Sequence, residues 1–365
     1  MDTAAVDCFS QSYEEARGKF LAAATRAGLA IESHLHPLSG RDGEALAMDV
    51  ARLGVSDSAA LLIVSSACHG VEGFCGSGVQ NALLGDSSFH TAAAQAGVAV
   101  LYVHALNPHG FSWWRRTTHE NVDLNRNWQD FSRPLPANPG YDELADAIVP
   151  PSWPPAPEVK NRIEAYAQAH GPRALQTAIT AGQYRHATGL FFGGQAPTWS
   201  RATLTRVLLQ HATRCRRLAW IDLHTGLGPS GHGEHIFAGR PDPVAVSRAR
   251  AWWGDHVTST DDGSSSSTAL TGTISTAAYE LCPQAEYTGI ALEYGTLPLP
   301  EMLGALRADQ WRVNHPEAPA AQRAAIERQS RDAFYVDTPA WKQRVLEQGL
   351  HAARAAVAGL AGTAG

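Results

Sequence analysis

The sequence predicts an open α/β fold, in which strands and helices alternate along the chain and chemical groups stand at the strand ends. Two observations carry this. Apolar runs of strand length recur at residues 61–66, 98–104, 218–223 and 289–293, with helical patterning between the first two at 78–84. Several of these runs also lead directly into residues able to hold a metal or move a proton: His69 and Glu72 after the first, His224 after the third, Glu293 at the end of the last.

The remaining elements follow in order. Residues 13–27 have helical periodicity with Gly28 as the stop, and 30–36 and 45–53 alternate as two strands joined through the turn-forming 39–43. Residues 134–157 are rich in proline and read as an irregular surface excursion. Helical patterns return at 159–170 and 202–211, and the Ala- and Arg-rich tail forms two more at 320–334 and 339–358. The run DDGSSSST at 261–268 is too polar to pack and reads equally as a flexible connector or a lid over a site. With no internal repeat and no strong linker, residues 1–365 are expected to form one domain with insertions.

Composition narrows the function. A hydrophobic content of 44% with 18% charged residues describes a globular protein with ample core. The net charge of −6 and the lack of a Lys/Arg-rich run exclude a nucleic-acid surface. The first twenty residues are polar and acidic where a secretory leader is basic and then apolar, and no apolar run approaches membrane-spanning length, so a cytoplasmic protein is expected. The five cysteines show no paired spacing and read as reduced, buried thiols, Cys68 and Cys75 included.

The chemistry begins with His69 and Glu72. An imidazole and a carboxylate three residues apart past a strand end can reach one point, supplying two of the three protein ligands of a hydrolytic zinc. HxxE alone is a weak signal. His224, ending a later strand between Asp222 and Thr225, is the natural third ligand. The set leaves a fourth position open, as a catalytic zinc requires and a structural one does not. Glu293 sits at an apolar strand end, where a carboxylate is costly unless a cation answers it, and is the candidate general base. Asn125 and Arg126 suit a substrate carboxylate, which guanidinium grips with two hydrogen bonds. Asp123 is placed to accept a hydrogen bond from a zinc-bound histidine ring. One of Arg115 and Arg116 is expected to polarise the substrate carbonyl. His232 and His235 read as solvated loop residues.

In order, HGVE, WRR, NVDLNRN, DLHTG and ALEYGT resemble the motifs of the zinc carboxypeptidase superfamily, which includes the aspartoacylase-like deacylases. The likeness spans residues 61–296 and is nearest to a bacterial carboxypeptidase-like branch without an assigned substrate, in which HGVEGFCGS and NPHGF-like strings recur. It implies a mixed, mostly parallel sheet with helices on both faces. It also implies one Zn2+ per chain on His69, Glu72 and His224, with Glu293 as base and Arg115 as the carbonyl-polarising arginine. Asn125 and Arg126 become the carboxylate grip, and Asp123 the partner of His69. Two departures stand out. Residues 264–268 hold no counterpart of the mobile tyrosine of digestive carboxypeptidases, so its role is either lost or passed to Tyr279 or Tyr294. The Glu-Tyr-Gly-Thr at the base is closer to the deacylase branch.

The function expected is thus a zinc-dependent amide hydrolase that recognises a carboxylate, cutting the last residue from a short peptide or peptide-like molecule. The alternative is an N-acyl amino acid deacylase, which uses the same groups; the helical tail, unlike the β-rich module of aspartoacylase-like enzymes, favours the former. A binding protein that kept the fold but lost catalysis is a third reading, opposed by the completeness of the ligand and base set. A small peptide or N-acyl amino acid is the expected partner, with no nucleic acid and no membrane.

Overall fold

A computed structural model describes residues 6–362. Seven strands form one mixed sheet in the order β1-β2-β4-β3-β5-β7-β6: β1 Ala30–Ser39, β2 Ala45–Leu53, β3 Ala60–Ser65, β4 Val98–His104, β5 Arg217–Ser230, β6 Gly233–Phe237 and β7 Glu286–Gly295. The four central strands β4, β3, β5 and β7 run parallel, and β1, β2 and β6 are antiparallel to their neighbours. The α/β class and the hairpin at 39–43 are as the sequence predicts.

Alternation along the central strands divides the core. Leu62, Val64, Val100, Tyr102, Ile221, Leu223, Ile290 and Leu292 face a cluster built with the helices Tyr13–Arg26, Gly73–Gly85 and Pro339–Gly362. Their neighbours Leu61, Ile63, Leu101, Val103, Leu218 and Trp220 face the opposite cluster with the helices Trp199–His211 and Thr276–Leu281. Because both faces are covered, the central strands read as continuous apolar runs. A third cluster, from the helices Pro139–Ile148, Leu299–Asn314 and Ala320–Phe334, packs with Val71 beside the metal-ligand candidates.

Two local readings are corrected. Residues 134–157 are not irregular throughout. Asn138 accepts the Tyr141 N–H at 3.0 Å and Pro139 occupies the first turn, together starting the helix Pro139–Ile148. His235 is not a solvated loop residue but lies buried on β6, whose five residues are too few to show alternation.

Between β3 and β5 the chain order reverses: β4 lies on one side of β3 and β5 on the other. Such switch points open a crevice at the carboxyl ends of parallel strands. His69 follows β3, and His224, midway along the long β5, pairs in register with Glu293 near the end of β7. The order of the strands therefore brings the three chain segments together.

His104, at the end of β4, is fully buried and stacked on Phe20 at 4.6 Å, and burial pushes its ring down to about 4. It stays neutral when folded, whereas the unfolded chain takes up a proton below about pH 6.5. Its contribution is therefore complete above pH 6.5 and lost as pH falls toward 4, on the order of 3 kcal/mol. Urea unfolding at pH 7 and pH 4.5 is expected to show this loss, and His104→Asn to reduce it.

Candidate metal centre and substrate cavity

His69 and Glu72 bracket a single 3-10 turn, Gly70–Glu72. The Gly70 N–H donates to the Arg116 carbonyl at 3.1 Å and the Val71 N–H to the Arg115 carbonyl at 2.8 Å, docking the turn on the segment that carries the arginine pair. Gly70 is required by contact: a Cβ there would stand 2.1 Å from the carbonyl carbon of Gly110.

Three donor side chains converge. His69 Nδ1 lies 2.9 Å from Glu72 Oε1, His224 Nδ1 3.0 Å from Glu72 Oε2, and the two Nδ1 atoms 3.2 Å apart. Tetrahedral zinc with bonds near 2.1 Å spaces its ligands about 3.4 Å apart, so the set is close to the size of the ion. The chemistry of the donors also fits. His224 Nε2 is 2.7 Å from Asp222 Oδ2, which holds a ring hydrogen there and turns Nδ1 toward the Glu72 carboxylate. Burial works against a charged His224, yet Asp222 and Glu72 outweigh it and hold the ring well above its usual range. Burial alone would likewise raise Glu72, but His69 and His224 hold it low. Each of these groups is completed by positive charge at their centre.

His69 Nε2 is 3.2 Å from Asp123 Oδ1, the partner anticipated for it, and 2.7 Å from Arg116 Nη2. Asp123 is fully buried and accepts from Arg116 Nε at 3.0 Å as well. Arg116 Nη1 donates to Glu72 Oε1 at 3.2 Å, and its guanidinium lies 5.1 Å from the Phe191 ring centre.

Of the adjacent pair it is Arg116, and not the expected Arg115, that the structure brings into the cavity beside the donor set. The Arg115 guanidinium turns away, donating to Asp309 Oδ2 at 3.3 Å and Asn121 Oδ1 at 3.0 Å, and it does not line the cavity. Consecutive side chains of an extended segment leave on opposite sides, so only one of an adjacent pair can enter a site. Parity inside an irregular loop is not legible in sequence.

Glu293 completes the group. Its Oε1 accepts the Leu227 N–H at 3.0 Å. Burial first, and then the nearby Glu72 carboxylate, push it up to about 7, where a general base works best. Asn125 and Arg126 enter the same cavity of about 270 Å³ as His69, Glu72, His224 and Glu293. Asn125 Oδ1 is taken by the Ile274 N–H at 2.9 Å, which leaves the amide NH2 as its free end. Arg126 is braced by the Thr180 and Asn125 carbonyls, at 2.6 and 2.8 Å, with N–H groups to spare.

Cys68 reaches the far side of His224 and Asp222, but burial, then Asp222, push its thiol well up, so it stays neutral. Neither Tyr279 nor Tyr294 lines the cavity, and the Tyr294 hydroxyl donates to the Val345 carbonyl inside the core. The serine-rich loop forms part of the wall through Asp261 and Ser267. It is fastened by the Glu234 carboxylate, which accepts from the Thr258 hydroxyl at 2.6 Å and from both the N–H and hydroxyl of Ser266. Gln176 and Arg173 donate to the Ser266 and Ser267 carbonyls from the opposite rim, at 2.8 and 2.6 Å. No helix among the described residues is long and apolar enough to cross a membrane.

A family model described as "Protein of unknown function (DUF2817)" matches residues 9–348. No curated protein matches the chain. Among solved structures, the chain is similar to thrombin activatable fibrinolysis inhibitor, with 15% identity and a TM-score of 0.48 over 91% of this chain and 79% of that one. It is also similar to carboxypeptidase A from Helicoverpa armigera, with 11% identity and a TM-score of 0.43 over 94% and 74%. A third likeness is to the murein-tripeptide amidase MpaA from Escherichia coli O157, with 14% identity and a TM-score of 0.35 over 77% and 92%.

Proposed function

The chain belongs to the DUF2817 family, and from that starting point we propose that it is a zinc-dependent amide hydrolase that recognises a substrate carboxylate, a carboxypeptidase acting on short peptides or peptide-like molecules. The observation that carries this is one cavity holding a three-donor metal set, a buried carboxylate raised to about 7, and two groups suited to a carboxylate.

His69, Glu72 and His224 would hold one Zn2+. Bound there, zinc supplies Lewis acidity and makes water acidic near neutral pH. Glu293 takes the proton of the attacking water and passes it to the departing amine, which its near-neutral affinity allows in both directions. The Leu227 N–H keeps the carboxylate oriented through both transfers. Arg116 meets the negative charge that develops on the carbonyl oxygen; its hold on Asp123 and Glu72 fixes it before reaction, so no reorganisation is needed at that moment. Asn125 and Arg126 hold the terminal carboxylate, which places the last amide bond at the base and makes the enzyme read chain ends.

Substrates with an amidated terminus are accordingly expected to be poor, by about 100-fold or more in kcat/KM, because the grip and the carboxamide leave each other unpaired. Arg126→Ala should erase most of that difference by weakening free acids. Steady-state rates on matched free-acid and amidated peptides decide it. Equal cleavage of both by the wild type would replace the end-reading enzyme with one that reads the acyl side.

A further inference from the structure

Past Glu293 the cavity continues down the face of the sheet. On this face β7 steps from Glu293 to Ala291 to Gly289, so nothing larger than a methyl group covers the strand between Glu293 and Tyr287. Tyr287, the next residue on the same face, leans over Gly289: a Cβ at 289 would stand 2.0 Å from the tyrosine hydroxyl oxygen. The glycine is what lets the hydroxyl point up the strand toward the site. Tyr287 lines the cavity and is 5% exposed.

The neighbouring polar groups are already used. Trp220 Nε1 donates to Ser65 at 2.7 Å, and the Tyr279 hydroxyl accepts the Arg240 N–H at 2.9 Å. Among the described residues, the Tyr287 hydroxyl has no hydrogen-bond partner in the protein. Ile274 links this recess to the carboxylate grip, its N–H on Asn125 and its side chain in one cluster with Trp220 and Tyr287. From Gly289 to Glu293 the strand rises about 13 Å, deep enough for a long side chain. The two arginines of the cavity are held outside the recess, Arg116 by Glu72 and Asp123 and Arg126 by Thr180. The Asp222 carboxylate lies on the same wall.

We propose that this recess receives the side chain of the residue whose carboxylate Asn125 and Arg126 hold, and that the Tyr287 hydroxyl selects a long, neutral side chain ending in a hydrogen-bonding group, of the phenol or carboxamide class. An acidic end meets the Asp222 carboxylate, whose two oxygens are already taken by His224 and Ser65, and a purely apolar end leaves the hydroxyl unpaired. The place of this selection in a reaction rests on the hydrolase reading, but the recess itself can be probed by binding.

The test uses the zinc-loaded protein. Calorimetry with free L-tyrosine and L-phenylalanine is run beside kcat/KM for peptides ending in each, on wild type and Tyr287→Phe. Tyrosine is expected to be favoured by about tenfold in both readouts, and Tyr287→Phe to abolish the preference while keeping phenylalanine. Equal binding of the two by wild type, or a preference that survives in Tyr287→Phe, overturns the proposal. A Tyr287-dependent binding preference without any turnover supports the recess and instead removes the hydrolase reading.

Discussion

Replacing His224 by alanine is expected to remove zinc and activity together. The ring is one of the three donors, with His69 and Glu72, and the only one held by Asp222, so its loss leaves two donors and takes from the buried Glu72 and Asp222 carboxylates their shared partner. Removing one member of a buried charged pair costs about 3–5 kcal/mol, and a domain with three large apolar clusters can lose that and remain folded. Metal content by atomic emission, read beside circular dichroism, gives the result. A folded His224→Ala protein with full zinc occupancy would show that the ion is held elsewhere. The same logic predicts that a chelator inactivates the wild type and that added Zn2+ restores it.

Glu293→Gln is expected to separate binding from chemistry. The amide keeps the shape of the side chain and an oxygen for the Leu227 N–H, but cannot accept the proton of the attacking water. Zinc content and substrate KM should hold while kcat falls by about a thousandfold or more, the range for a lost acid–base group that also stabilises charge. If kcat in that variant stays within tenfold of wild type, Glu293 is a structural carboxylate and another group moves the proton.

Much of this site is legible in the sequence for a physical reason. His69, Glu72, His224 and Glu293 each follow or end an apolar run, and parallel strands deliver such residues to one edge. What could not be read is of four kinds. The choice between Arg115 and Arg116 depends on which way an irregular segment turns, and Trp114, just before the pair, adopts a left-handed backbone at φ 53°. Asp222 sits within a strand that reads as core, and only the fold shows that its carboxylate is spent on His224. Tyr287 is ordinary as sequence, since aromatic residues in strands are usually core. Its hydroxyl becomes informative only with the room that Gly289 leaves. Proline hid the helix Pro139–Ile148, because the same residue that breaks helices also starts them.

The turn that carries His69 and Glu72 touches the short helix Pro108–Ser112 backbone against backbone, with no side chain between Gly70 and Gly110. The geometry of the donor set is thus inherited from the closest approach two main chains can make. Such a contact has no intermediate settings. Gradual sequence drift can reshape the recess, the rim loop and the helices around them, and so retune what the cavity accepts. The spacing of the donors stays the same until either glycine changes, and is then lost in one step.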